Sequence, residues 1–96
     1  MLRITTETEN GSIELRAEGS LRGPWVGELE RAWLRIFDRN RQVRLNLADV
    51  SYVDDAGKDL LARMFRHGTE LTAGGPFMQA IVEQIKHGRV FSGRPE

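Results

Sequence analysis

The sequence predicts an α/β fold, a small mixed β-sheet of about four strands with about three helices packed mainly on one face. Three observations lead there. Segments whose apolar residues alternate with polar ones are followed by segments whose apolar residues recur at helical spacing. A hairpin signal, Glu9-Asn10-Gly11-Ser12, joins the first two strands. The later strands are separated by helices, so at least one connection is a parallel crossover.

The first strand is expected around Leu2 to Thr6 and the second over Ser12 to Glu18, where Ile13, Leu15 and Ala17 alternate with Glu14, Arg16 and Glu18. Gly19 to Gly23 reads as a loop. Pro24 suits the first turn of a helix, and Trp25, Val26, Leu29, Trp33, Ile36 and Phe37 form one apolar face, with the end expected near Asn40. Both tryptophans share register with Leu29 and Ile36, which makes core packing their default role. Val43, Leu45 and Leu47 mark a third strand with room to run on to Val50, and Ser51, Tyr52 and Val53 follow before the Asp pair. From Lys58, Leu60, Leu61, Met64 and Phe65 share one helical face, while Asp59, Arg63, Arg66 and His67 share the other, and Gly68 stops the helix. A short strand follows over Glu70 to Ala73 and a turn at Gly74 and Gly75. Pro76 opens a last helix with Phe77, Met78, Ile81, Val82 and Ile85 inward, closed by Gly88. The tail, residues 89 to 96, either adds a short strand through Val90 and Phe91 or is disordered.

At 96 residues the chain is expected to be one domain, 1–96, large enough to hold an ordinary hydrophobic core. It contains no cysteine, which removes thiolate chemistry and cysteine metal sites and is compatible with a reducing cytoplasm. No apolar run approaches the roughly 18 residues that span a bilayer, and the N-terminus lacks the apolar core of a signal peptide. Fourteen Lys plus Arg balance 14 Asp plus Glu, so no global field gathers a nucleic acid. Arg35, Arg39, Arg41 and Arg44 lie close in sequence, but Asp38 interrupts them and no aromatic platform is interleaved, as in a solvated helix end.

The chemistry-bearing feature is Asp54-Asp55, placed where an apolar run hands over to a helix. A carboxylate just before a helix accepts hydrogen bonds from its free N–H groups and meets the positive end of its dipole, so either Asp54 or Asp55 suits an N-cap, with Gly57 relaxing the tight turn. A second reading groups Asp49, Asp54, Asp55 and Asp59 as ligands for a hard cation such as Mg²⁺ in a phosphate-handling enzyme. Neither GxGxxG nor GxxxxGK[ST] occurs, and His67 and His87 lack a nearby nucleophile, so nucleotide-loop and serine-hydrolase chemistry find no support.

The phrase LNLADVSYVDDAG and the order of elements resemble the STAS domain, the family of anti-sigma factor antagonists and of the cytoplasmic domains of sulfate transporters. In that family a third strand leads into Asp-Ser-x-Gly-Leu at a helix start; here the residues are Asp54, Asp55, Ala56, Gly57 and Lys58, followed by Asp59. HGTEL, at 67 to 71, is similar to the family's turn into its fourth strand. The resemblance covers roughly Ile13 to Ile85.

It implies a non-enzymatic, bacterial, cytoplasmic interaction domain without a cofactor or resident metal, acting in signalling and transcription regulation. The implied partner is a protein, an ATPase-type anti-sigma kinase that phosphorylates the Ser or Thr of the signature to abolish binding. Asp55 stands at that position, so the serine switch is expected to be missing and the contact constitutive. The recognition surface would comprise Asp54, Asp55, Ala56, Gly57, Lys58 and Asp59, with Arg63 and Arg66 on the exposed side of the following helix. Charged residues at Lys58 and Asp59 depart from the family phrase. The alternative within the same fold is an accessory subunit of a membrane transport ATPase.

Overall fold

The computed structural model describes residues 1–37 and 41–88. Its elements run β1 (Leu2–Glu9), β2 (Ser12–Leu21), α1 (Pro24–Ile36), β3 (Gln42–Val53), α2 (Asp55–Arg66), β4 (Glu70–Thr72) and α3 (Pro76–Lys86). The sheet order is β1-β2-β3-β4, with β1 antiparallel to β2 and both β2/β3 and β3/β4 parallel. The predicted α/β architecture of four strands and three helices is therefore the observed one.

The hairpin forms because Asn10 and Gly11 both adopt positive φ, 50° and 83°, which a two-residue turn matched to strand twist requires. Each parallel connection carries a helix, α1 between β2 and β3 and α2 between β3 and β4. One face of the sheet holds Ile13, Leu15, Ala17, Val43, Leu45, Leu47 and Leu71, all buried. All of these except Ile13 pack with Leu29 and Trp33 of α1, Leu60, Leu61 and Met64 of α2, and Met78, Ile81, Val82 and Ile85 of α3 in one continuous core. The opposite face is polar: Arg44 lies between Glu14 and Glu70, and Arg16 meets Asp49 at 2.9 Å. One polar pair is built into the core, where Trp33 Nε1 donates to Thr69 Oγ1 at 2.9 Å. Both tryptophans belong to the packed face, Trp33 fully and Trp25 in part.

Several boundaries differ from the sequence expectation. Helix α1 stops at Ile36, and Phe37 turns extended while keeping its ring 5.3 Å from that of Trp33. The expected end near Asn40 and the residues Asp38 and Arg39 lie outside the described residues, as does the tail 89–96. Strand β2 continues through the expected loop to Leu21, and β3 continues to Val53. The cause is two register shifts, between Arg16 and Glu18 and between Gly19 and Ser20, each of which inserts an extra β3 residue. The inward positions of β3 therefore change spacing, from Val43, Leu45 and Leu47 to Val50 and Val53, and the period-2 signal is lost while the strand goes on. Phe77 is 47% exposed, not inward, because Met78, Ile81, Val82 and Ile85 complete the buried stripe one position later. Arg35 ends α1 in solvent as expected, whereas Arg44 belongs to β3.

Gly27 lies inside α1, and a Cβ there would meet only Arg31 Nη1, at 3.6 Å. Gly27→Ala should therefore raise stability by about 0.5–1 kcal/mol through helix propensity alone, read as an increased midpoint in thermal unfolding.

Candidate functional site at the start of the second helix

Beyond the second bulge, Ser20 pairs with Tyr52 and Leu21 with Val53, so β2 and β3 end side by side and release the chain toward α1 and α2. Asp54 closes this end of the sheet. Its N–H donates to the Leu21 carbonyl at 3.1 Å, while its carboxylate accepts from Gly57 N at 2.8 Å through Oδ1 and from Gly23 N at 2.9 Å through Oδ2. One side chain thus caps α2 and also holds the segment that leads into α1. Donation from the Gly23 backbone N–H is the main cause of a carboxyl pKa below the usual value of 3.8; Gly57 adds to it, as does the charge of Arg22, and partial burial opposes them.

Gly57 sits in the first turn of α2 with its face against the sheet. A Cβ there would stand 2.8 Å from Val53 Cγ1 and 2.9 Å from the Leu21 carbonyl oxygen. The glycine is buried and sets how closely α2 approaches β2 and β3.

The second aspartate differs from the first. Asp55 is exposed at the first position of α2, beside exposed Ala56, and Asp59 is exposed one turn further on; Lys58 is half-buried. Arg63 and Arg66 occupy the same solvent side, with Arg63 Nη1 donating to Glu30 Oε2 of α1 at 3.0 Å. Among the nominated residues, α2 thus gathers Asp55, Ala56, Asp59, Arg63 and Arg66 on its outer surface, while Asp54 and Gly57 face the protein.

Sequence reasoning missed two neighbours. Tyr52 is 46% exposed, and the Arg22 guanidinium lies 5.9 Å from its ring centroid, within cation–π range. The only signal for Tyr52 was its place beside inward Val53, obscured by the bulge; Arg22 fell in an expected loop. The four aspartates do not assemble as ligands: Asp49 pairs with Arg16, Asp54 is occupied by backbone donors, and no cluster of three His, Asp or Glu suited to a metal occurs among the described residues.

No protein-family model matches the chain, and no curated protein matches it significantly in sequence. Solved structures do match in shape. An anti-sigma factor antagonist from Mycobacterium paratuberculosis superposes with a TM-score of 0.78 at 16% identity, over 91% of this chain and 80% of that one. The anti-sigma factor antagonist SpoIIAA in its unphosphorylated form gives a TM-score of 0.66 at 19% identity, over 85% and 83%. The structure of Mglu gives 0.60 at 28% identity over 75% of this chain, which spans only 19% of that protein's length. The fold is that of the STAS-like anti-sigma factor antagonists, and no helix among the described residues is long and apolar enough to cross a membrane.

Proposed function

We propose that this chain is a non-enzymatic STAS-like interaction domain of the anti-sigma factor antagonist type, acting in the cytoplasm on an ATPase-type anti-sigma kinase. The supporting observation is the antagonist fold, matched over 91% of the chain, with an exposed carboxylate, Asp55, opening α2. The contact surface in this reading is the outer side of α2, from Asp55 and Ala56 through Lys58 and Asp59 to Arg63 and Arg66. Asp54 and Gly57 contribute by fixing where that helix begins.

Asp55 stands where the resemblance puts a phosphorylatable hydroxyl. A carboxylate cannot receive a phosphoryl group as the stable ester that serine forms. It carries one negative charge, against roughly 1.5 to 2 and three strong acceptor oxygens for phosphoserine. Asp55 therefore acts as a constitutive contact for a cation on the partner, and the complex lacks the serine switch.

The test is a pull-down followed by direct titration of the retained ATPase. Asp55→Lys reverses the charge at an exposed side chain and should preserve the fold while weakening the complex about tenfold or more, since one charge is lost and a like charge introduced. Unchanged affinity would remove Asp55 from the contact surface. Asp55→Ser should bind and then be released when the kinase and ATP are present. Recovery of a transport ATPase subunit in place of an anti-sigma kinase would replace the proposed partner.

A further inference from the structure

The edge of the sheet at β1 is built differently from the edge at β4. Strand β4 is three residues long, and shortness is itself a protection against stray pairing. Strand β1 has eight residues, Leu2–Glu9, pairs with β2 alone among the described residues, and contains no proline, lysine or bulge. Thr5, Thr6 and Thr8 give it high strand propensity.

The phase of its backbone follows from two observations. The two-residue turn closes on the pair Glu9–Ser12, and at the other end Ser20 N donates to the Met1 carbonyl at 3.1 Å. The pairing between them has no register shift, so Met1, Arg3, Thr5, Glu7 and Glu9 direct their backbone groups to β2. Leu2, Ile4, Thr6 and Thr8 then direct their N–H and C=O groups away from the sheet, a row along the edge with no backbone partner among the described residues.

The side chains beside that row are charged in a self-complementary way. Glu7 stands directly opposite Glu14 of β2, a like-charge pair. Arg44 approaches Glu14 at 3.6 Å, and Asn46 also donates to it, whereas no ion pair to Glu7 occurs among the described residues. Arg3 is the cation of the strand; its side chain is 79% exposed and reaches Glu18 only at 4.0 Å.

We propose that the β1 edge is a self-association site at which a second copy of this chain adds antiparallel, with the two-fold axis at Thr5. Leu2 then pairs with Thr8 of the second copy and Ile4 with Thr6, so all the outward backbone groups of the strand are used, each pair exchanging two hydrogen bonds. In the same register Arg3 lies opposite Glu7 of the second copy, and the reverse holds by symmetry. Sliding the strands by one step toward Glu9 moves Leu2 off the end of its partner, and a second step places Glu7 against Glu7. Charge and hydrogen bonding therefore select the same register. The site lies two strands away from β3 and the start of α2, so it is independent of the proposed partner surface.

Sedimentation equilibrium of the whole chain over a concentration series tests this. The expected result is a reversible monomer–dimer equilibrium. Thr6→Pro removes an outward N–H at an edge position that tolerates proline and should give a monomer with an unchanged circular dichroism spectrum. Arg3→Glu should weaken the dimer about tenfold or more, and Arg3→Glu combined with Glu7→Arg should restore it. The swap decides the matter even if the proline variant does not fold. A wild-type chain that stays monomeric up to about 1 mM, a dimer that survives Thr6→Pro in the folded protein, or a swap that fails to restore association would overturn the proposal.

Discussion

Gly57→Ala is expected to destabilise the protein by about 2 kcal/mol, although alanine is the better helix former by about 1 kcal/mol. The added methyl would stand 2.8 Å from Val53 Cγ1 and 2.9 Å from the Leu21 carbonyl oxygen, both closer than carbon can approach. The carbonyl is the harder obstacle, because it belongs to the end of β2 and accepts the Asp54 N–H. Moving it loosens the hydrogen bond that joins the two strand ends, and moving α2 instead opens the packing of Leu60 and Leu61. In a chain of 96 residues such a loss should lower the thermal midpoint by roughly 8–16 °C. Urea unfolding of Gly57→Ala beside Gly27→Ala provides the internal comparison, since the two substitutions have the same intrinsic helix gain and opposite expected signs. Equal stabilisation by both would show that α2 has room to move and that Gly57 does not set its position.

The comparison also explains which parts of the molecule were legible in sequence. Helix faces such as Leu60, Leu61 and Met64 are local patterns, and they survive into the structure because a single sheet face receives them. The stop signals at Gly68 and Gly88 are local too, and both adopt positive φ just after their helices. Strand ends are not local. Leu21 and Val53 belong to strands only because the two bulges let β2 and β3 remain paired past the point where alternation fails. The candidate site inherits that difficulty: the Asp54-Asp55 dipeptide was visible, but its division of labour was not. Which aspartate turns inward depends on the distance to Gly23, a residue 31 positions earlier in the chain. Likewise Gly57 reads as a flexible turn residue, while its role is steric and is set by Leu21 from another strand.

That division predicts different costs for removing the two aspartates. Asp54→Ala removes the acceptors of Gly57 N–H and Gly23 N–H and should cost about 1–2 kcal/mol near neutral pH, in the range of a lost helix cap. The folded-state pKa of Asp54 is depressed, so the ionised carboxylate favours folding. Its contribution is fully present above the usual value of 3.8 and is lost as pH falls from there through the lower folded-state value. The gap in stability between wild type and Asp54→Asn should therefore be constant above about pH 5 and shrink as acid protonates the wild-type side chain. Asparagine keeps one accepting oxygen, enough for Gly57 N–H or Gly23 N–H but not both, so its loss at neutral pH should be smaller than that of alanine. Asp55 makes no comparable bridge, and its removal forfeits only the exposed interaction of a carboxylate with the start of a helix, a few tenths of a kcal/mol. Chemical denaturation from pH 7 to pH 3 separates the cases. A gap between wild type and Asp54→Asn that stays constant into acid would mean that the carboxylate charge does not stabilise the cap. A loss for Asp55→Ala as large as that for Asp54→Ala would mean that the capping role is shared.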